Sequence, residues 1–581
     1  MKLEWNKLEP VGYLLALLAA VFLRVWNLNQ LPLTSLEAGW AVQALQLARG
    51  NMPPLGPNPG YTALTTILFF ILGTTNAMAR LAPVLVGSSL ILVPYFFRER
   101  LGRGAALVLA FGMALDPFMV ANSRLAGGPM LVLGFGLWAL VAWKLRSGAA
   151  AGILLGLAIL SGPAFWFLFV SLGLAFLVFR VIPGGKQLSL VDQQGGPISL
   201  RLLAASLLVT IIVVGTIFTL MPEGLGAFAA SLPAYLQTWW TASGVPAWQI
   251  VLALLVYQPL AFVFGLVHGV RKFRAEDGLD RLLLLWALIA FLLGVLMPGR
   301  QPTDLVWVVL PLWVLASREL AGYLSLRSEG RLATLLETGL VFVLLLVGWL
   351  NLAAMVVDGN NLRWYFTLGV LIIAVIATYL IGAGWSFGAA IQGLVWGLCL
   401  ALGVLVLGEA LATARPRSDF SIELWQVQPL SGSVSNFVKS MGDLSEWNTG
   451  RRDSLDVVVL TQDANLAWVL KNFPNATYTD ALNPDQLPST VITAQDAPEP
   501  ELSLPYRGQN FDWEIRPDWS GMGPSDWLNW LFYREAPIAP VQITIWARND
   551  LFPGGELVPD NSTPADSSQP DQLVPGNQPA P

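Results

Sequence analysis

A small set of charged residues stands out because apolar sequence surrounds it: Glu37, Arg80, Asp116, Arg124, Arg300 and Asp304. A charge at membrane depth costs roughly 2.5 to 3.5 kcal/mol even on lenient scales, so each carries a functional expectation. Glu37 is the isolated acid of RVWNLNQLPLTSLEAGWAVQALQLARGNMPPLGPNPG, residues 24–60, and a carboxylate so placed suits general-base work. The plainer account is a first-turn acid favoured by the helix dipole. Arg124, in NSRLAGGP, suits a clamp on an anionic phosphate as well as it suits an interface anchor. Arg300 and Asp304 bracket the short loop MPGRQPTDLVW, as ligands or as a mutual ion pair. Asp116, in ALDPFMVANSR, is a ligand or a turn residue beside Pro117, and Arg80 is a scattered arginine of the same set of loops. The single histidine, His268, and single cysteine, Cys399, exclude a histidine-dependent triad, a zinc site built on these residues and a disulfide framework. Carboxylates, arginines and backbone must therefore do any chemistry.

The elements that position these residues are membrane helices. With 55% hydrophobic and 12% charged residues and a mean hydropathy of +0.59, the chain is too apolar for a soluble domain, where charged residues make up about 25%. It reads as a polytopic α-helical membrane protein. About thirteen spans are expected, over 9–26, 77–97, 104–121, 129–145, 148–161, 163–182, 202–221, 248–270, 282–298, 304–323, 333–357, 363–383 and 386–411. The first reads as an anchor, because it is long and lacks a small-residue cleavage site. In loop 27–76, Thr34 and Ser35 are candidate N-caps and Gly50 a stop signal for a short amphipathic helix on the bilayer, its carboxylate facing the interface. If the short run 61–75 lies at the surface, basic residues fall on alternate loops: Lys2 and Lys7; Arg98, Arg100 and Arg103; Lys144 and Arg146; Arg180, Lys186 and Arg201; Arg271 to Arg281; Arg318, Arg327 and Arg331. The positive-inside rule then places the N-terminus in the cytoplasm and the Glu37 loop outside.

Residues 1–412 hold 23 Lys and Arg against 16 Asp and Glu, whereas 413–581 hold 10 against 22. An acidic C-terminal region suits a solvated extracytoplasmic domain, 413–551. Its runs DVVVL (456–460) and STVITA (489–494) predict strands, and 464–472 a helix, so a small α/β domain is expected. The Pro-, Asp- and Ser-rich tail 552–581 reads as disordered. Asn475 and Asn561 open glycosylation sequons. No repeat, P-loop or dinucleotide fingerprint is present, and no nucleic-acid partner is expected.

The order of features resembles the GT-C superfamily of membrane glycosyltransferases, especially protein O-mannosyltransferase-like enzymes and flippase-associated glycosylation proteins. The resemblance rests on Arg24 and SLEAGW, Pro59-Gly60-Tyr61, GTTNAMARLAPVLVG, LDPFMVANSR, Tyr257-Gln258-Pro259-Leu260 and RQPTDLVWVVLPLWVLA. It covers nearly the whole chain. Three positions depart from it: Leu36-Glu37 replaces an Asp-Glu pair, Pro129 stands at a second acid position, and Gln258 replaces a Glu. The resemblance implies transfer of a sugar from a polyprenyl-phosphate donor to an extracytoplasmic protein or cell-envelope glycan at the plasma membrane, with membrane lipid around it. Glu37 would be the base, Arg124, Arg300, Asp304, Arg80 and Asp116 would bind substrate, and a divalent cation such as Mg or Mn would assist the leaving phosphate. The missing acids leave open a catalytically inactive GT-C-like scaffold in envelope glycan assembly. A transporter is disfavoured by the lack of an obvious repeat or midplane acid pair.

Overall fold

The computed structural model describes residues 5–182, 198–273, 278–324, 330–414, 422–426, 429–483 and 486–555. Lys2, Lys186, Arg274 and Arg327 of the basic loops, the sequon at Asn561 and the expected tail from residue 556 onward lie outside them. The chain divides into two compact units, Met1–Leu430 with Ala464–Trp468 and Ile515–Ala539, and Ser431–Asp463 with Val469–Glu514 and Pro540–Pro581.

The first unit is helical, and each stretch expected to span is helical within it. Six helices have the length and apolarity to cross a bilayer: Asn76–Phe96, Ala164–Val181, Gly278–Leu296, Arg331–Asp358, Leu362–Gly384 and Phe387–Ala414. Two bent pairs raise the number to eight, Arg103–Leu115 with Pro117–Ser123 at 59° and Ala247–Tyr257 with Pro259–Lys272 at 91°. The chain is thus a multi-pass membrane protein, and six to eight of the stretches expected to span are, among the described residues, long and apolar enough to cross by length and composition. Several of the others are short. At 1.5 Å per residue, Gly148–Leu160, with 13 residues, reaches about 20 Å of a roughly 30 Å core. Pro59–Leu72, with 14 residues, is equally short, in keeping with a segment that does not span alone.

Both bends follow from proline, which lacks the N–H its helix needs and pushes the preceding residue out of helical geometry. Asp116 adopts φ −61°, ψ 120° before Pro117, and its Oδ1 accepts from Met119 N at 2.7 Å, capping the second segment. Gln258 breaks the other pair before Pro259.

The second unit holds most of a five-stranded sheet, whose strands are β1 (Val457–Val459), β2 (Ala476–Tyr478), β3 (Thr490–Ala494), β4 (Tyr506–Pro517) and β5 (Ile538–Arg548), in the order β2-β1-β3-β5-β4. β1 runs parallel to β2 and β3, and β3 antiparallel to β5. The β-branched runs VVV and TVITA are buried almost throughout, as strands inside a sheet must be. The expected α/β character holds. The helix expected over 464–472 ends earlier, at Val469, and its residues Asn465 and Trp468 belong to the first unit.

Candidate functional site

The helix carrying Glu37, Ser35–Ala48, opens with a capping box: Glu37 N donates to Thr34 Oγ1 at 3.4 Å, and Thr34 N donates to Glu37 Oε2 at 2.9 Å. The same carboxylate accepts Arg80 Nε on Oε1 and Arg80 Nη2 on Oε2, each at 2.8 Å. Ala126 N adds a bond to Oε1 at 2.6 Å. Each oxygen therefore accepts two donors, and Glu37 is only 2% exposed. The expected interface-facing carboxylate is instead a buried ion pair. With its lone pairs engaged, it takes up an acceptor's proton only if that pair opens. Arg80 spends its remaining donors on Leu31 O and Pro32 O, both at 2.8 Å, so the pair fastens the incoming loop, the helix and the 124–128 turn together. That turn approaches through Gly127, at φ +72°, where a Cβ would lie 2.7 Å from the Trp40 ring. Asn465 Nδ2 donates to Ser35 Oγ at 2.7 Å and Trp468 Nε1 to Asn76 Oδ1 at 2.8 Å, closing the same cluster. Leu36 is 61% exposed beside the locked acid.

Two arginines serve helix ends. Arg24 donates to Met113 O at 3.0 Å and Ala114 O at 3.1 Å, carbonyls freed by the Asp116–Pro117 bend, and to Ser123 Oγ at 3.0 Å. Arg124 Nη1 donates to Leu23 O, Arg24 O and Trp26 O at 2.8 to 3.0 Å, and Nη2 to Ala414 O at 3.1 Å. Its Nη groups thus cap the C-termini of two helices, while its buried Nε has no hydrogen-bond partner. Asp116 is fully buried, with Oδ2 accepting from Trp313 Nε1 at 2.7 Å, so it holds a bend rather than an open ligand site. Trp313 reaches it because residue 112 is glycine, whose Cβ would lie 2.4 Å from the indole.

Arg300 and Asp304 differ from these. They make no mutual ion pair: Arg300 Nη1 donates to Val245 O at 2.9 Å, and Asp304 Oδ2 accepts from Gln301 N at 3.0 Å. Two loops meet here, with Gly299 N on Thr238 O at 2.7 Å and Ser243 Oγ donating to Arg300 O at 2.6 Å. Arg300 Nε is buried without a hydrogen-bond partner. Such groups cost about 1 to 3 kcal/mol each unless something satisfies them. Asp304 is half-buried in the Pro302–Leu305 turn, and burial raises its pKa to about 7 despite the Gln301 N–H. This loop thus carries an uncommitted donor, Arg300 Nε, and a carboxylate whose pKa burial raises to about 7.

Sequence reasoning passed over two further clusters of the first unit. Arg534, 1% exposed and at φ +62°, pairs with Glu409 at 2.9 Å and Glu423 at 3.4 Å and lies 4.5 Å from the centroid of the Trp530 ring. Tyr257 donates to Glu423. His268 lies between Glu319, at 2.9 Å, and Asp280, at 3.2 Å, which in turn pair with Arg271 and Arg318. Glu409, an acid within the apolar Phe387–Ala414 helix, carried a readable signal. Among the described residues no three His, Cys, Asp or Glu side chains gather to hold a metal. Glu37 is saturated by four donors and Asp116 is engaged through both oxygens, so neither carboxylate is free to hold a divalent cation.

No protein-family model matches the chain, and no curated protein is matched by its sequence. Its fold is similar to that of ArnT from Cupriavidus metallidurans bound to undecaprenyl phosphate, with a TM-score of 0.53 at 16% identity over 87% of this chain and 96% of that one. The apo state of the same protein gives 0.47 at 16% identity over 80% and 84%. The chain thus shares the fold of ArnT, a mostly helical membrane fold as expected.

Proposed function

We propose that the chain is a membrane glycosyltransferase that moves a sugar from a polyprenyl-phosphate donor to an acceptor outside the cytoplasm. One observation carries the reading: a fold similar over nearly its full length to that of a protein solved with undecaprenyl phosphate holds the loop of Asp304 and Arg300, whose Nε is unpartnered. In this reading the N-terminus is cytoplasmic, and the Glu37 loop and the second unit face outward. The acceptor hydroxyl attacks the anomeric carbon, its proton passes to Asp304, and the carbon–oxygen bond to phosphate breaks, the oxygen leaving with the electron pair. Arg300, through its unpartnered Nε, neutralises the departing phosphate. Glu37, with Arg80, is a positioning pair that fastens residues 31–37 to the 124–128 turn.

Leu36 favours a second reading. The helix start presents an exposed leucine where the GT-C resemblance has an acid, and its remaining carboxylate is locked away. This suits a catalytically inactive scaffold in envelope glycan assembly. The test is sugar transfer by the purified chain in nanodiscs from a mixed pool of polyprenyl-phosphate sugars, with an acceptor-rich envelope extract. Transfer that Asp304→Asn abolishes supports the enzyme. No transfer by the wild type, with activity appearing in Leu36→Asp, supports the scaffold.

A further inference from the structure

In the second unit, the helix Val434–Thr449 and the strands β4 and β5 enclose a cleft of about 450 Å³. Trp447 lines it and is 68% exposed, the most exposed large apolar side chain among the described residues of this unit. Water contact with so much indole is unfavourable, and an aromatic face left open beside polar groups is a common binding feature. The polar groups are present. Arg507 lies 4.7 Å from the centroid of the Phe552 ring and donates through Nε to Asn549 Oδ1 at 2.7 Å, which fixes its guanidinium at the rim. Asp443, held by Arg452, adds carboxylate oxygens, and Ser440 and Gln509 add a hydroxyl and an amide.

We propose that this cleft binds a neutral saccharide. A pyranose has an apolar C–H face that stacks on an indole and a rim of hydroxyls that both donate and accept, which matches one exposed ring ringed by planar acid, amide and guanidinium groups. One acid and one base line the cleft, so neither an anionic nor a cationic sugar is favoured. The volume accommodates one or two hexose rings. An apolar peptide or a lipid surface would leave Asp443, Arg507 and Gln509 facing groups unable to hydrogen-bond. The inference rests on the glycosyltransferase reading only in that it names the acceptor, a glycan chain. Binding at equilibrium needs no turnover, so the two ideas can fail separately.

The test is calorimetric titration of the full chain in nanodiscs with neutral oligosaccharides of two to six hexoses, alongside protein-free nanodiscs. Trp447 is exposed, so Trp447→Ala should fold normally. Saturable binding is expected, weakened roughly tenfold or more in Trp447→Ala, as for a central aromatic contact. Trp447→Phe should keep most of the affinity, and Trp385→Ala, equally exposed in the first unit, should keep all of it. No binding by the wild type, undiminished binding by Trp447→Ala, or preferential binding of lipid vesicles through Trp447 would each overturn the proposal.

Discussion

Replacing Arg80 by methionine removes the partner of a carboxylate that is 2% exposed and leaves its charge buried among apolar atoms. Both Arg80 bonds to Glu37 are 2.8 Å, and stranding one member of such a pair costs about 3 to 5 kcal/mol. Glu37→Gln keeps the shape but sets an amide NH2 against two donors, Arg80 Nη2 and Thr34 N or Arg80 Nε and Ala126 N. With charge-assisted bonds contributing about 1.5 to 3 kcal/mol each, a loss near 3 kcal/mol is expected. The two changes remove one interaction, so the double variant should lose less than their sum, with a coupling of about 0.5 to 3 kcal/mol. Equilibrium unfolding of the four proteins in mixed micelles measures this, and amide exchange at Thr34 and Ala126 should quicken in each variant. The reasoning is refuted if both single variants keep wild-type stability while Glu37→Gln alone loses transfer, because Glu37 would then be a base and not a fastener.

The Asp304 carboxyl, raised to about 7 by burial, should make transfer rise with pH through about 7, and a profile flat from pH 5 to 9 would contradict its role as base. Its effect on stability has the opposite sign: the raised pKa favours the folded state below the unfolded value near 4, and this is lost as pH rises through about 7, so Asp304→Asn should flatten that slope in unfolding curves. Arg300→Ala should weaken binding of undecaprenyl phosphate by roughly tenfold to a hundredfold, the worth of one or two charge-assisted bonds, as measured by native mass spectrometry or scintillation proximity. Trp313→Phe should orphan Asp116 Oδ2 and lower stability by about 1 to 3 kcal/mol without changing donor affinity.

Local signals in the chain were readable. Thr34 caps the helix, Gly50 ends it at φ +84°, Pro117 and Pro259 break two helices, and the β-branched runs near 457 and 490 became strands. Each depends on a few neighbouring residues. What each charge would meet was not readable. Glu37 finds Arg80 43 residues on, and Arg124 caps a carbonyl 290 residues away, because packing of distant helices decides which orphan carbonyl or carboxylate lies within reach. An isolated charge in apolar sequence signals that a partner exists without saying whether it is substrate or backbone. Arg24 and Arg80 spend donors on backbone carbonyls of the fold, whereas Arg124 and Arg300 each keep a buried Nε without a hydrogen-bond partner. The length of each helix was less legible, since Gly148–Leu160 has only 13 residues.

The most direct test of the central claim is release of polyprenyl phosphate from a polyprenyl-phosphate sugar by the purified chain in nanodiscs, at pH 8 and with acceptor extract present, for wild type, Asp304→Asn and wild type in EDTA. The account predicts release by the wild type, loss in Asp304→Asn and no effect of EDTA, because Glu37 and Asp116 are not free to hold a cation. Release that survives Asp304→Asn and disappears in EDTA would contradict it.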